Sequence, residues 1–177
     1  MKKLISILLL FCLSFSFAQV KWMTIEEALK AQKDHPKKIL IDFYADWCGP
    51  CKIMDKKTYG HQVIADILNQ NYYPVKFNAE EKKSLKIFDR TFSNPNTEQK
   101  KGRNSLHEFT QYMNVAAVPS TVFLDEKGGP ITILQGELSA KELEPYLELI
   151  SNNLYKKIRS REQWEDYQKK FKSKIKD

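Results

Sequence analysis

The sequence predicts an α/β fold: a central mixed β-sheet flanked by helices on both faces, with an insertion and a C-terminal helical extension. Lys38 to Ala45 is a near-continuous run of apolar, aromatic and β-branched residues, the mark of a strand covered on both sides. Around it the hydrophobic periods alternate as strand, helix, strand, helix, β-hairpin and helix, an order that builds one layered sheet. Of the 177 residues, about 159 remain once an expected leader is removed, enough for a single domain with its own core.

Thr24 and Glu27 form a capping-box pattern that opens a helix through Ile25, Ala28 and Leu29 to about Lys33. Asp34-His35-Pro36 breaks it, and the Lys38 to Ala45 strand follows. A second helix begins within Cys48-Gly49-Pro50-Cys51, with Ile53, Met54, Val63, Ile64, Ile67 and Leu68 as its apolar positions and an interruption at Tyr59-Gly60. Tyr73 to Ala79 reads as the second strand. Glu80 to about Thr110 is turn-rich and polar, so an inserted surface excursion is expected at about residues 81–104. Asn104 to Met113 reads as a short helix with Leu106, Phe109 and Met113 on one face. Ser120 to Asp125 and Ile131 to Gln135 form a hairpin about the turn Glu126 to Gly129. Ser139 caps a helix through Leu143, Leu147 and Ile150. Beyond Asn153, Trp164, Tyr167, Phe171 and Ile175 make one stripe on a basic helix.

The first residues have the layout of an export signal. Lys2 and Lys3 precede an apolar run from Leu4 to Phe17, and Ser16 and Ala18 are small residues at the cleavage positions. Cleavage is expected after Ala18, which divides the chain into a signal peptide (1–18), a main domain (19–153) and a basic extension (154–177). At ~14 residues the apolar run falls short of the ~20 a spanning helix needs. Cys12 raises lipid attachment as an alternative, but Leu9-Leu10-Phe11 lacks the small residues such a site wants. No later segment is apolar enough to cross a membrane, so a soluble product in the periplasm or another extracytoplasmic space is expected.

The formal charge is +7 for the whole chain, and the excess sits largely after Tyr155. No nucleic-acid motif accompanies it, so a nucleic-acid partner is not expected. The stripe on the tail favours packing against the domain over docking on a partner or an acidic membrane surface.

Loss of the leader leaves two of the three cysteines, Cys48 and Cys51. A pair closing so small a loop adds little stability, which points to chemistry. A haem would want His after the second cysteine, where Lys52 stands, and zinc would want two more ligands. His35, His61 and His107 match no ligand spacing, so no metal and no cofactor beyond the Cys48–Cys51 disulfide is expected. At a helix N-terminus the Cys48 thiolate is stabilised by free backbone N–H groups, and Pro50 suits a first turn. Cys51, one turn inside, is expected to be the more shielded. Cys48 would attack a substrate disulfide and Cys51 would resolve the mixed disulfide.

Ile41 to Lys52, with Asp42, Trp47, Cys48, Gly49, Pro50, Cys51 and Lys52, resembles the thioredoxin family over strand, active site and helix start. Val118-Pro119-Ser120-Thr121 is similar to the family's cis-proline loop, and Gln135 to Ser139 to its last strand–helix junction. The resemblance covers about residues 24–150 and extends to the periplasmic thioredoxin-like domain of transmembrane thiol:disulfide interchange proteins. It implies a thioredoxin-like fold. It also implies that Asp42 is a buried acid assisting the inner cysteine, that Trp47 flanks the site, and that Val118 and Pro119 pair with extended substrate. A buried carboxyl has a raised pKa and exchanges a proton near neutral pH; a salt-bridged structural Asp is the alternative. Roughly twenty residues of the insertion exceed what the family needs, and loops that long are functional or disordered.

The expected function is therefore an exported thiol:disulfide oxidoreductase. Gly49-Pro50 tilts it towards reducing disulfides of envelope proteins, recharged by a membrane electron donor. An oxidase or isomerase on the same fold, or a partner-binding module with little redox activity, are the alternatives.

Overall fold

The computed structural model describes residues 19–94 and 105–176. The expected leader with Cys12, and residues 95–104 of the expected insertion, lie outside the described residues. Thr24 caps helix α1 (Ile25–Asp34) reciprocally. Its Oγ1 accepts from Glu27 N–H at 3.2 Å, and the Glu27 carboxylate accepts from Thr24 N–H at 2.8 Å. Strand β1 (Lys38–Tyr44) is buried along all but its last residue.

Helix α2 (Gly49–Met54) passes into a π-helical turn (Asp55–Tyr59) before α3 (Gln62–Asn71). The break lies at the expected Tyr59-Gly60. A Cβ on Gly60 would sit 2.5 Å from the Lys56 carbonyl oxygen, so this close turn requires glycine. Ile53, expected among the core positions, is 42% exposed: it lies on the outer side of α2, while Met54 beside it is buried.

Strand β2 (Tyr72–Asn78) leads into what the sequence predicts to be a polar excursion. Instead, β3 (Leu85–Ile87) and β4 (Arg90–Phe92) form a small antiparallel hairpin that buries Leu85, Ile87 and Phe92. Its turn residues Phe88 and Asp89 both have positive φ, 51° and 55°, the geometry of a two-residue hairpin loop. Helix α4 (Glu108–Tyr112) is shorter than expected, because the His107 ring caps it by accepting Phe109 N–H at 3.1 Å. Strands β5 (Ser120–Leu124) and β6 (Pro130–Gln135) form the expected hairpin, and a second reciprocal cap, Ser139 with Glu142, opens α5 (Ala140–Ser151).

The sheet order is β2-β1-β5-β6, with β1 and β2 parallel and the other pairs antiparallel. Pro74, which has no N–H to donate, is tolerated because β2 is nearly an edge; among the described residues only Met23 bridges to its outer side. Alternation along β1 divides the core. Ile39, Ile41 and Phe43 join Ile25, Ala28, Phe109 and the β3–β4 hairpin on one face. Leu40 packs on the other with Met54, Ile64, Leu68, Leu143 and Leu147.

Helix α6 (Arg161–Lys170) ends five residues before Ile175. The aromatic stripe nevertheless packs on α5. Trp164 stacks on Tyr146 at 4.5 Å, and Tyr167 OH donates to the Pro145 carbonyl at 3.1 Å. The buried Glu144 carboxylate accepts from Ser173 Oγ and from Lys174 N–H, and Ile175 is buried past the helix end. No described helix is long and apolar enough to cross a membrane.

Candidate active site

The carboxyl end of β1 delivers the cysteine motif directly to the start of α2. Cys48 is the N-cap: its Sγ accepts Cys51 N–H at 3.2 Å, and Pro50 lies in the first turn. Cys48 and Cys51 are joined as a disulfide, S–S 2.04 Å. The expected contrast in shielding is absent in this oxidised state. The two residues are 2% and 3% exposed, because Ala45, Tyr44 and Val118 pack around both. What separates them is position, with only Cys48 at the cap.

Trp47 is 47% exposed, and its indole N–H donates to Glu80 Oε1 at 2.9 Å, which holds the ring beside the motif. Gly49, Pro50 and Lys52 are exposed. The Val118–Pro119 peptide is cis. Pro119 is buried, its carbonyl accepts Gly136 N–H at 2.9 Å, and Val118 touches the cysteine pair just before β5 begins. Residues far apart in sequence thus converge on one disulfide.

Asp42 lies on the Leu40 face of β1, opposite Ile41 and Phe43, and is 2% exposed. Its surroundings were not foreseen. Lys76, opposite it on β2, holds its Nζ 3.7 Å from Asp42 Oδ2 and also pairs with Asp55 in the π turn. The ammonium lies over the Tyr44 and Trp22 rings, 5.0 and 5.4 Å from their centroids. Tyr59 OH is 3.4 Å from Asp42 Oδ1 and 3.0 Å from Thr121 Oγ1. Burial pushes the Asp42 carboxyl up to about 7 and Asp55 adds to the rise, while Lys76 and the Tyr59 hydroxyl oppose it. Asp42 can therefore change protonation near neutral pH. Burial, with Asp42 adding to it, also holds the Tyr59 phenol well above its ordinary value, so Tyr59 stays neutral.

Among the described residues no cluster of three or more His, Cys, Asp or Glu could hold a metal. His61 and His107 instead cap α3 and α4 through their ring nitrogens.

A family model for the thioredoxin-like domain matches residues 25–151. The chain belongs to the thioredoxin-like family. It is 33% identical over 125 residues to the thioredoxin-like protein YneN of Bacillus subtilis (strain 168), covering 64% of this chain and 65% of that protein. It is 23% identical over 138 residues to the thiol:disulfide interchange protein DsbD of Photorhabdus laumondii, covering 76% of this chain and 20% of that protein. The chain thus spans about two thirds of the first relative and a fifth of the second. A thioredoxin-fold protein from Helicobacter pylori superposes with a TM-score of 0.58 over 81% of this chain and 96% of the other, at 16% identity, a likeness of fold. With a Cys-x-x-Cys pair at bonding distance, this thioredoxin-like chain has the equipment of a protein-disulfide oxidoreductase.

Proposed function

We propose that the chain is an exported thiol:disulfide oxidoreductase that reduces disulfides of envelope proteins through the Cys48–Cys51 pair. The observation that carries this reading is the pair itself, bonded at the N-cap of α2 beside the Val118–Pro119 loop. In the reduced enzyme the Cys48 thiolate, favoured by the Cys51 N–H and the helix dipole, attacks one sulfur of a substrate disulfide. A Cys48–substrate bond forms, and the other substrate sulfur leaves as thiolate. Asp42 then takes the Cys51 proton, and the Cys51 sulfur attacks Cys48. The mixed disulfide breaks, the substrate leaves with both sulfurs reduced, and two electrons have left the enzyme as its own disulfide forms.

Extended substrate would lie along Val118 and Pro119, with Trp47, Gly49, Pro50 and Lys52 forming the rim. No metal or cofactor enters these steps. Such a cycle needs a donor of two electrons, and a membrane thiol:disulfide partner is the proposed source. The aromatic stripe of the tail packs on α5, so contact with a membrane would rest mainly on the exposed lysines and arginines of the tail.

Insulin reduction by the chain from Gln19 onward, driven by excess dithiothreitol, tests the activity. Precipitation well above the dithiothreitol background, lost in Cys48→Ser, is expected; equal rates for both would remove the enzymatic reading. The reduction potential of the pair decides direction. A value near about −270 mV fits a reductant, and one near about −120 mV would make the chain an oxidant.

A further inference from the structure

We propose that Tyr59 and Thr121 are a positioning pair for Asp42, reversing their hydrogen bonds as that carboxyl gains and loses its proton. This rests on the proposed use of Asp42 as proton acceptor. All three side chains are buried: Asp42 and Tyr59 are 2% exposed and Thr121 is 0%. Their oxygens form a chain, Thr121 Oγ1 to Tyr59 Oη at 3.0 Å and Tyr59 Oη to Asp42 Oδ1 at 3.4 Å.

A proton acceptor must be served in both of its states. The charged and titratable groups facing Asp42 are Lys76 from β2, Asp55 and Tyr59 from the π turn, and Tyr44 from β1. Lys76 only donates, so it supports the carboxylate but cannot accept the hydrogen of the protonated acid. It also has a second acid to turn to, Asp55, with which it is already paired. A hydroxyl both donates and accepts. With Asp42 ionised, Thr121 donates to Tyr59 and Tyr59 donates to Asp42. With Asp42 protonated, Asp42 donates to Tyr59 and Tyr59 donates to Thr121. No atom moves far, and each of the three oxygens keeps a partner in either state.

The local chain is built to hold this hydroxyl. The π turn carries Tyr59 inward, Gly60 closes it where a Cβ has no room, and Thr58 anchors it through the Leu138 carbonyl at 2.5 Å. The Trp22 ring meets the Tyr59 ring edge-on at 5.0 Å.

The test is the pH–rate profile of disulfide reduction for the wild type, Tyr59→Phe, Thr121→Val and Thr121→Ser. A hydroxyl stabilises the carboxylate more than the neutral acid, so losing it raises the pH at which Asp42 ionises. Tyr59→Phe is expected to move the midpoint up by about half a unit or more, slowing the reaction about threefold below it. Thr121→Val should move it the same way by less, and Thr121→Ser should restore it. An unmoved midpoint in Tyr59→Phe, whether rates are kept or fall equally at every pH, would overturn the proposal. Should the wild type reduce nothing, the functional reading fails instead. The same shift is then read by carbon-13 titration of the Asp42 carboxyl in the oxidised proteins, and its absence there overturns the inference on its own.

Discussion

Phe43 and Asp42 are neighbours on β1, both buried, and they point to opposite faces of the sheet. Phe43 joins a cluster of rings, 5.5 Å from Phe77 and 5.8 Å from Phe109, where burial stabilises without condition. Asp42 enters a pocket of two hydroxyls, one ammonium and a second carboxylate, where burial is unfavourable for its charged form. The same strand thus gains stability at Phe43 and gives some up at Asp42, which shares its face with the apolar Leu40, to keep a proton exchangeable. Burial alone does not say which of these a residue does; its partners do.

The largest effect should come from removing the inner thiol. Cys51→Ala leaves Cys48 to attack and nothing to resolve the product, so substrate proteins should accumulate as mixed disulfides. These would be visible as thiol-sensitive bands on non-reducing gels, and their absence would break the assigned order of attack. On the apolar face, Phe109→Ala removes a ring that touches Phe43, Phe77 and Phe92, and should cost about 3–5 kcal/mol in denaturant unfolding. Its pH–rate midpoint should not move, which keeps the two faces separable.

Asp42→Asn should act with the opposite sign. The unfolded chain holds this carboxyl near about 3.9, and the folded chain holds it at about 7. Between those values the folded protein keeps a proton that the unfolded chain releases. The stability so contributed is full below about pH 4 and is lost as pH rises through 7. Asp42→Asn removes this dependence. It should be more stable than the wild type above pH 7, by an amount on the order of 3–4 kcal/mol, and should resolve mixed disulfides more slowly. Lys76→Met is the finest adjustment: losing the cation that lowers Asp42 should raise its midpoint by about one unit.

The apolar cores on both faces of β1 were legible in sequence because their signal is local: a seven-residue strand, a capping box at Thr24 and helical spacing in α5 are each visible in one window. The cysteine motif and the Val118–Pro119 loop were legible through family resemblance. The pocket around Asp42 was not. Tyr59 is 17 residues from Asp42 and Thr121 is 62 from Tyr59, and Tyr59 read only as a helix interruption. Lys76 carries no signal of its own in the sequence, although its register opposite Asp42 follows once the parallel pairing is known. The β3–β4 hairpin escaped because its strands are three residues each, too short for a period-two pattern, and its loop holds Phe88 in a backbone region that sequence rules reserve for Gly, Asn or Asp. Ile175 was placed on a helix that ends at Lys170; an extended chain clasped by Glu144 brings it to the core.

Carbon-13 NMR titration of the Asp42 carboxyl in the wild-type protein tests the contrast between the two faces most directly. A single transition near pH 7 is predicted. A midpoint below about 5, close to that of an exposed aspartate, would contradict it, because Asp42 would then be a fixed charge like any salt-bridged acid.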